Sequence, residues 1–255
     1  MEDYKVSNFQ SLFSNQYYVI LKNHLYNYRL RRYAINRLLK KNTHNMILEI
    51  GSGISPIVSL VHNNVIYSDV SLIPLMLLKK YYPHALIVAA DVTLLPFKAN
   101  SLSLTICSEV LEHIKDDRKA LEEISRTLKP SGSIIITFPH GHHYFSYDDR
   151  FVHHQRRYEL YEMIDMLNNA GLKPEYIKKV LGPLEKITMI IACFIFQKIR
   201  MTKPMSKKYP GRMRFLRFLS WLFKWANLFY AFFIWVDAHI IPLKWASVIL
   251  VKSKK

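Results

Sequence analysis

"MILEIGSGISPIVSLV", residues 46–61, is the stretch on which the fold turns. An apolar run ends on Glu49, glycines follow at 51 and 53, and Ser55 stands where a third glycine would be expected. Glycines after a strand let the backbone come close to a ligand, and the head of the next helix then presents free N–H groups. Read alone, the pair is equally well explained as a tight strand-to-helix turn.

The sequence downstream repeats the pattern. "SPIVSLVHN" reads as the helix after the turn, "VIYSDV" as a second strand, "LIPLMLLKKYYP" as a helix and "LIVAADV" as a third strand. "SLTICSEV" follows as a fourth strand, "DDRKALEEISRTL" as a helix and "SIIITFP" as a fifth strand, entered through the "KPSGS" turn. Short apolar runs alternating with helices predict an α/β fold with a doubly wound, Rossmann-like parallel sheet. In such sheets ligands sit beyond the carboxyl ends of the strands. Asp69 ends the second strand, 18 residues after Gly51, where a carboxylate can grip both hydroxyls of a ribose. Asp91 ends the third strand, placed to accept from an exocyclic amine. Three turn motifs in register on successive strands point to a working cofactor loop.

"ILEIGSG", "YSDVS", "AADVTLLPF" and "SLTICSEVLEHIKDDRKALEEISRTLKPSGSIIITFP" together resemble the class I S-adenosylmethionine-dependent methyltransferases, in particular the small-molecule group called type 11. The resemblance covers roughly residues 45–180, and "SEVLEH…LKPSG" is its most specific part. "DDRFVHHQRRY" is similar to an Asp…His…Arg-Arg-Tyr signature of some bacterial and archaeal members, at Asp149, His154, Arg156, Arg157 and Tyr158. The resemblance implies a seven-stranded sheet whose last strand, here "WASVILVKSKK", is antiparallel, and S-adenosyl-L-methionine as cofactor. It implies that Glu49, Gly51 and Gly53 cradle the methionine part, Asp69 the ribose, and Asp91 with Val92 the adenine, while Ser108 and Glu109 line the mouth beside the methyl group. Ser55 and Ser103 depart from the family pattern; the third glycine chiefly allows close helix packing, which a serine tolerates.

Methyl transfer needs a nucleophile held in line and water excluded, and a hydroxyl or acidic carbon benefits from a nearby base. His140, His142, His143, His153 and His154 crowd the segment after strand five, and His154 and His143 are the candidate bases or substrate contacts. "HGHH" resembles a ligand cluster, but without cysteine or regular ligand spacing no metal is expected there. Arg156, Arg157 and Tyr158 are the candidate substrate-binding residues: two guanidinium groups suit a phosphate or carboxylate, the alternative being ion pairs with Asp148 or Asp149. Glu112 and His113 read as supports of the fold.

The 255 residues carry a formal charge of +17, unevenly spread. Residues 1–45 hold eight basic and two acidic side chains, 46–182 fourteen and fifteen, and 183–255 fourteen and two. The neutral middle argues against nucleic acid as partner, and the basic, greasy C-terminal part argues for an anionic membrane surface. "ITMIIACFIF" (187–196) is too short to span a bilayer. "MRFLRFLSWLFKWANLFYAFFIWV" carries Arg214, Arg217, Ser220, Lys224 and Asn227 as a narrow polar stripe, suiting a helix that lies in the interface with its cations toward the headgroups. The expected organisation is an N-terminal helical segment (1–45, its helix over 17–41), a methyltransferase core (46–182), a basic hydrophobic helical insertion facing the membrane or roofing the pocket (183–244), and the final strand (245–255). Cys107 and Cys193 lie in apolar runs and the N-terminus has no secretory pattern, so the expected place is the cytoplasm, peripherally on the inner face of the membrane. The expected activity is methylation of a hydrophobic or lipid-linked acceptor; an RNA methyltransferase and a non-catalytic membrane scaffold are the alternatives.

Overall fold

A computed structural model describes residues 23–39, 46–58, 64–200 and 210–255. Helix α1 (Tyr26–Leu39) precedes β1 (Ile47–Ile50), β2 (Val65–Asp69), α2 (Leu72–Tyr81), β3 (Leu86–Ala89) and β4 (Leu102–Ser108). Then come a 3₁₀ turn (Leu111–His113), α3 (Asp117–Thr127), β5 (Leu128–Pro139), a second 3₁₀ turn (His142–Tyr144), α4 (Tyr147–Phe151), α5 (Leu160–Asn169) and β6 (Lys173–Leu181). Two helices, α6 (Pro183–Arg200) and α7 (Pro210–Ile240), and a 3₁₀ turn (Leu243–Trp245) lie between β6 and the last strand, β7 (Val248–Lys254).

The seven strands form one sheet in the order β3-β2-β1-β4-β5-β7-β6. β1 to β5 pair in parallel, and β7 runs antiparallel between β5 and β6. The two-residue period of each strand sorts its side chains onto two faces. Ile47, Ile106, Ile135 and Leu250 join one core with Tyr28 and Ile35 of α1, Leu75 and Leu78 of α2 and Ile234 of α7. Leu48, Cys107, Ile136 and Ile249 join the other with Leu121 and Ile124 of α3 and Met163 and Leu167 of α5. Strand order reverses between β1 and β4, the switch point where a doubly wound sheet opens a crevice for ligand.

Three details depart from the sequence reading. Residues 55–58, the start of the expected helix "SPIVSLVHN", are bends rather than helix, and 59–63 lie outside the described residues. The "KPSGS" turn is drawn into β5 as a bulge: Leu102 faces Leu128 and Leu104 faces Ser133. On helix α7, Asn227 of the expected polar stripe turns to the domain rather than to the surface. Asn227 Oδ1 accepts the N–H of Tyr26 (3.4 Å), and Lys224 is half-buried; Arg214, Arg217 and Ser220 lie outside the described side chains. The inward line of α7 continues through Ala231, Ile234 and Ala238, while Trp221, Trp225, Phe229, Phe232 and Trp235 stand exposed. Cys107 is a buried free thiol, and Cys193 lies outside the described side chains.

Candidate active site

The tips of β1, β2 and β3 are shaped by carboxylates that accept from main-chain amides. Glu49, 2% exposed, takes the N–H of Ile57 (2.6 Å) and Val58 (2.9 Å), so it moulds the glycine loop from behind rather than facing the crevice. Gly51 and Gly53 have φ of +69° and +55°, a left-handed backbone that favours glycine. A β-carbon at Gly51 would lie 2.4 Å from Val110 Cγ2, whereas at Gly53 it would meet only Asp69 Oδ2, at 4.0 Å. Asp69 accepts from the N–H of Gly53 (3.0 Å) and of Ser71 (2.9 Å), which locks β2's tip to the loop. Asp91 Oδ1 accepts from the amide and hydroxyl of Thr93, both at 2.8 Å. Val92 is buried, so any part it plays toward a ligand runs through its main chain. Val70 and Leu94, beside these two carboxylates in sequence, are 77% and 75% exposed. Apolar surface next to a few fixed polar groups is what a nucleoside needs, and the sequence reading passed over both residues.

Beyond β4 and β5 the site is built from buried charge. Ser108 Oγ bonds Thr137 Oγ1 (2.8 Å). Glu109 follows with φ +54°, an unusual conformation for a non-glycine residue, and its Oε2 lies 3.5 Å from Arg31 of α1. One turn on, Glu112 is 0% exposed. Burial, then the nearby charge of Glu109, hold its carboxyl well above the usual range. The 150–158 segment is strapped across this turn: the N–H of Gln155 reaches Glu112 O (2.9 Å) and its side chain reaches His113 O (2.7 Å). The strap brings His154 edge-on to His113, ring centres 4.8 Å apart, with its Nε2 3.6 Å from Glu112 Oε1. Burial, and then His154, push the His113 imidazole down to about 4.

His154 Nδ1 is bonded to Asp149 Oδ1 (2.9 Å). Asp149 also accepts from Arg157 Nε (2.9 Å), Lys186 Nζ (2.5 Å) and the N–H of Ser146 (3.0 Å). Hydrogen bonds from His154 and Arg157 outweigh its burial and hold this carboxylate well below the usual range. Lys186 also grips both oxygens of Asp148, at 2.6 and 2.8 Å. Beside it Glu185, fully buried and bonded by Ser247 Oγ (3.0 Å), is pushed up to about 7 by burial.

The candidate substrate contacts therefore have partners within the chain. Arg157 is buried against Asp149 and the carbonyls of His140 and Ser247. Arg156 Nη1 and Tyr158 Oη both donate to Asp117 Oδ2, at 2.9 and 2.8 Å, and line a polar cleft of about 300 Å³ with His142 and Glu162. The "HGHH" histidines part company: His140 Nδ1 meets Ala246 O, His142 meets Glu162 Oε2, and His143 lies tilted against Tyr144 and edge-on to Trp245. His154 alone of the two candidate bases joins the cluster with Glu112 and His113, and those two, together with Arg31, Glu185 and Lys186, are what the sequence reading missed.

Residues 48–136 match the methyltransferase domain family. The chain carries a methyltransferase domain of the class I, S-adenosylmethionine-dependent type. It is 38% identical over 106 residues to the uncharacterised protein MJ0638 of Methanocaldococcus jannaschii, covering 40% of this chain and 45% of that one. It is 38% identical over 73 residues to the demethylmenaquinone methyltransferase of Paenarthrobacter aurescens, 29% of each chain. The chain thus spans less than half the length of these two relatives. Among solved structures, an S-adenosylmethionine-dependent methyltransferase from Mesorhizobium loti superposes with a TM-score of 0.55 at 14% identity, over 87% of this chain and 96% of that one, a likeness of fold. The residues present fit the cofactor: Gly53 leaves open space, Asp69 is held by the loop's amide, and Val70 and Leu94 offer exposed apolar surface, the kinds of group a nucleoside bearing a polar tail requires.

Proposed function

We propose that the protein methylates a hydrophobic or lipid-linked acceptor at an anionic membrane surface. S-adenosylmethionine supplies the activated methyl group. Gly51, Gly53 and Asp69 would hold its methionine and ribose ends, and Asp91 with the main chain of Val92 its adenine. Ser108 and Glu109 would border the reacting carbon, and His154, oriented by Asp149, would help to position the acceptor.

The observation that carries the membrane part is the outward face of α7. Trp221, Trp225, Phe229, Phe232 and Trp235 are exposed on a helix whose other face is seated on the domain. Aromatic side chains of this kind partition to the boundary of a bilayer. The neighbouring 198–217 stretch carries eight lysines and arginines, suited to anionic headgroups. Among the described residues no helix is long and apolar enough to cross a membrane, so the contact is one of lying on the surface. The demethylmenaquinone methyltransferase relative makes a prenylated quinone precursor the first acceptor to try.

Two measurements test this. Calorimetry with S-adenosylmethionine is expected to show binding that Asp69→Ala weakens roughly 10- to 100-fold, the worth of hydrogen bonds to a charged group; no binding by the folded wild type would overturn the cofactor reading. Flotation with phosphatidylglycerol vesicles is expected to carry the wild type and leave a Trp225→Ser/Phe229→Ser/Phe232→Ser variant behind. Equal flotation of both would remove α7 from the membrane.

A further inference from the structure

We propose that Glu112, His113 and His154 bind a divalent transition-metal ion of the zinc type, at the 3₁₀ turn that follows β4. Each of the three offers a ligand atom, and these atoms lie within 4.8 Å of one another. Ligand atoms about 2.1 Å from a tetrahedral ion stand about 3.4 Å apart. His154 Nε2 and Glu112 Oε1, at 3.6 Å, already nearly fit, and closing the widest pair needs side-chain shifts totalling up to about 1.4 Å. Two imidazoles and a carboxylate suit a first-row ion such as Zn²⁺ better than Mg²⁺ or Ca²⁺, which prefer all-oxygen shells.

Three features single this cluster out from an ordinary buried network. First, neither oxygen of Glu112 has a hydrogen-bond donor among the described residues, and Glu109 Oε1, also buried, lacks one as well. Polar groups buried without partners are costly, and the 3.6 Å between His154 Nε2 and Glu112 Oε1 is too long for a hydrogen bond. Treating His154 as a simple ionic bridge between Asp149 and Glu112 leaves Glu112 Oε2 and Glu109 Oε1 unanswered. A cation bound by the cluster answers the Glu112 carboxylate directly.

Second, both rings are braced as metal-binding histidines are. His154 Nδ1 rests on Asp149, which Arg157 and Lys186 fix in turn, and His113 Nδ1 faces the carbonyl of His153 at 3.3 Å. A carboxylate or carbonyl on one ring nitrogen sets the orientation in which the other meets a metal. Third, the cluster is held in shape by the main-chain strap at Gln155, while His113 and His154 keep partial exposure and so leave a way in.

The location gives the ion a use. Val110, between Glu109 and Glu112, has a methyl group 2.4 Å from where a β-carbon on Gly51 would be, so the segment that carries Glu112 and His113 packs on the cofactor loop. Three protein ligands leave open positions for an oxygen of the acceptor. This use rests on the methyltransferase reading, and it narrows the acceptor to one with a hydroxyl or carboxylate oxygen at the methylated end.

The test uses tag-free, chelator-stripped protein titrated with Co²⁺, a coloured stand-in for Zn²⁺, with S-adenosylmethionine binding measured calorimetrically on the same sample. The expected result is one equivalent of Co²⁺ per chain, seen as a visible absorption band that Zn²⁺ abolishes. The band should weaken at least tenfold in affinity in His113→Ala and in Glu112→Gln, each shown folded by circular dichroism, and persist in His142→Ala. Cofactor binding without a Co²⁺ band in the wild type overturns the ion site and leaves the methyltransferase reading standing. A Co²⁺ band without cofactor binding does the reverse. Equal Co²⁺ affinity in the wild type and in His113→Ala overturns the proposed ligands.

Discussion

At the tips of β1, β2 and β3 the chain is shaped by carboxylates that accept from main-chain amides, and much of what faces the crevice is backbone. At the tips of β4 and β5, five charged side chains (Asp148, Asp149, Arg157, Glu185 and Lys186) converge in a volume from which water is almost excluded. The first half achieves its shape locally, each acid bonding within a few residues or to the adjacent loop. The second half draws on α4, the strap, α6 and the approach to β7. Local backbone bonds near solvent are individually replaceable. A buried network stands or falls together, because removing one partner leaves a charge that nothing else can solvate.

Substitutions in the two halves should therefore differ in scale. Asp149→Ala strips His154, Arg157 and Lys186 of a shared partner and is expected to cost about 3–5 kcal/mol in urea unfolding. Asp91→Ala, which removes an exposed carboxylate bonded to Thr93 alone among the described residues, is expected to stay within about 1 kcal/mol. Equal costs would erase the distinction.

The acids of the buried half also carry opposite pH signatures. Burial raises Glu185 from 4.5 to about 7, so the folded protein holds a proton that the unfolded chain has released. Stability from this group is full below about 4.5 and declines as pH rises through about 7, by about 1–3 kcal/mol. Asp149 is depressed, so its contribution is present above the ordinary carboxylate value near 3.8 and is lost as pH falls below it. Glu185→Gln should flatten the loss between pH 5 and 8 and leave the acid limb intact; an unchanged slope would show that Glu185 does not titrate in that window.

The smallest contrast concerns two left-handed glycines. Gly171, at φ +74°, would present a β-carbon to nothing within 4 Å among the described residues, so Gly171→Ala is expected to cost about 1–2 kcal/mol and leave cofactor affinity unchanged. Gly51→Ala pays the same backbone strain and meets Val110 as well, so calorimetry should show cofactor affinity reduced more than tenfold. Unchanged affinity would place the cofactor away from this loop.

The first half was the legible one. Strand period, the glycine pair and the acids at Asp69 and Asp91 are signals of short range, and the sheet and its antiparallel last strand follow from them and from the family resemblance. The second half is assembled from segments whose sequences say nothing of each other. Glu112 and His113 read as helix-start residues because nothing near them in sequence predicts the arrival of His154. Lys186 opens an apolar helix, where a lone cation reads as incidental. Asn227, within the polar stripe of α7, was misread for a different reason. Amphipathic patterning assigns polar side chains to water, but Asn227 serves the N-terminus of α1, where the first-turn amide of Tyr26 has no acceptor within its own helix.

The place of β7 bears on how the chain assembles. Among the described residues β6 pairs with β7 alone, and 66 residues separate the end of one from the start of the other. On a ribosome β6 therefore emerges with no strand to dock on, and β5 keeps a bare edge, until α6, α7 and β7 have all been made. Two long helices rich in apolar side chains are exposed to the cell during that wait. The long separation between partners also makes this closing step the slow one, and the interval in which a chaperone or a nearby bilayer would have the most to shield.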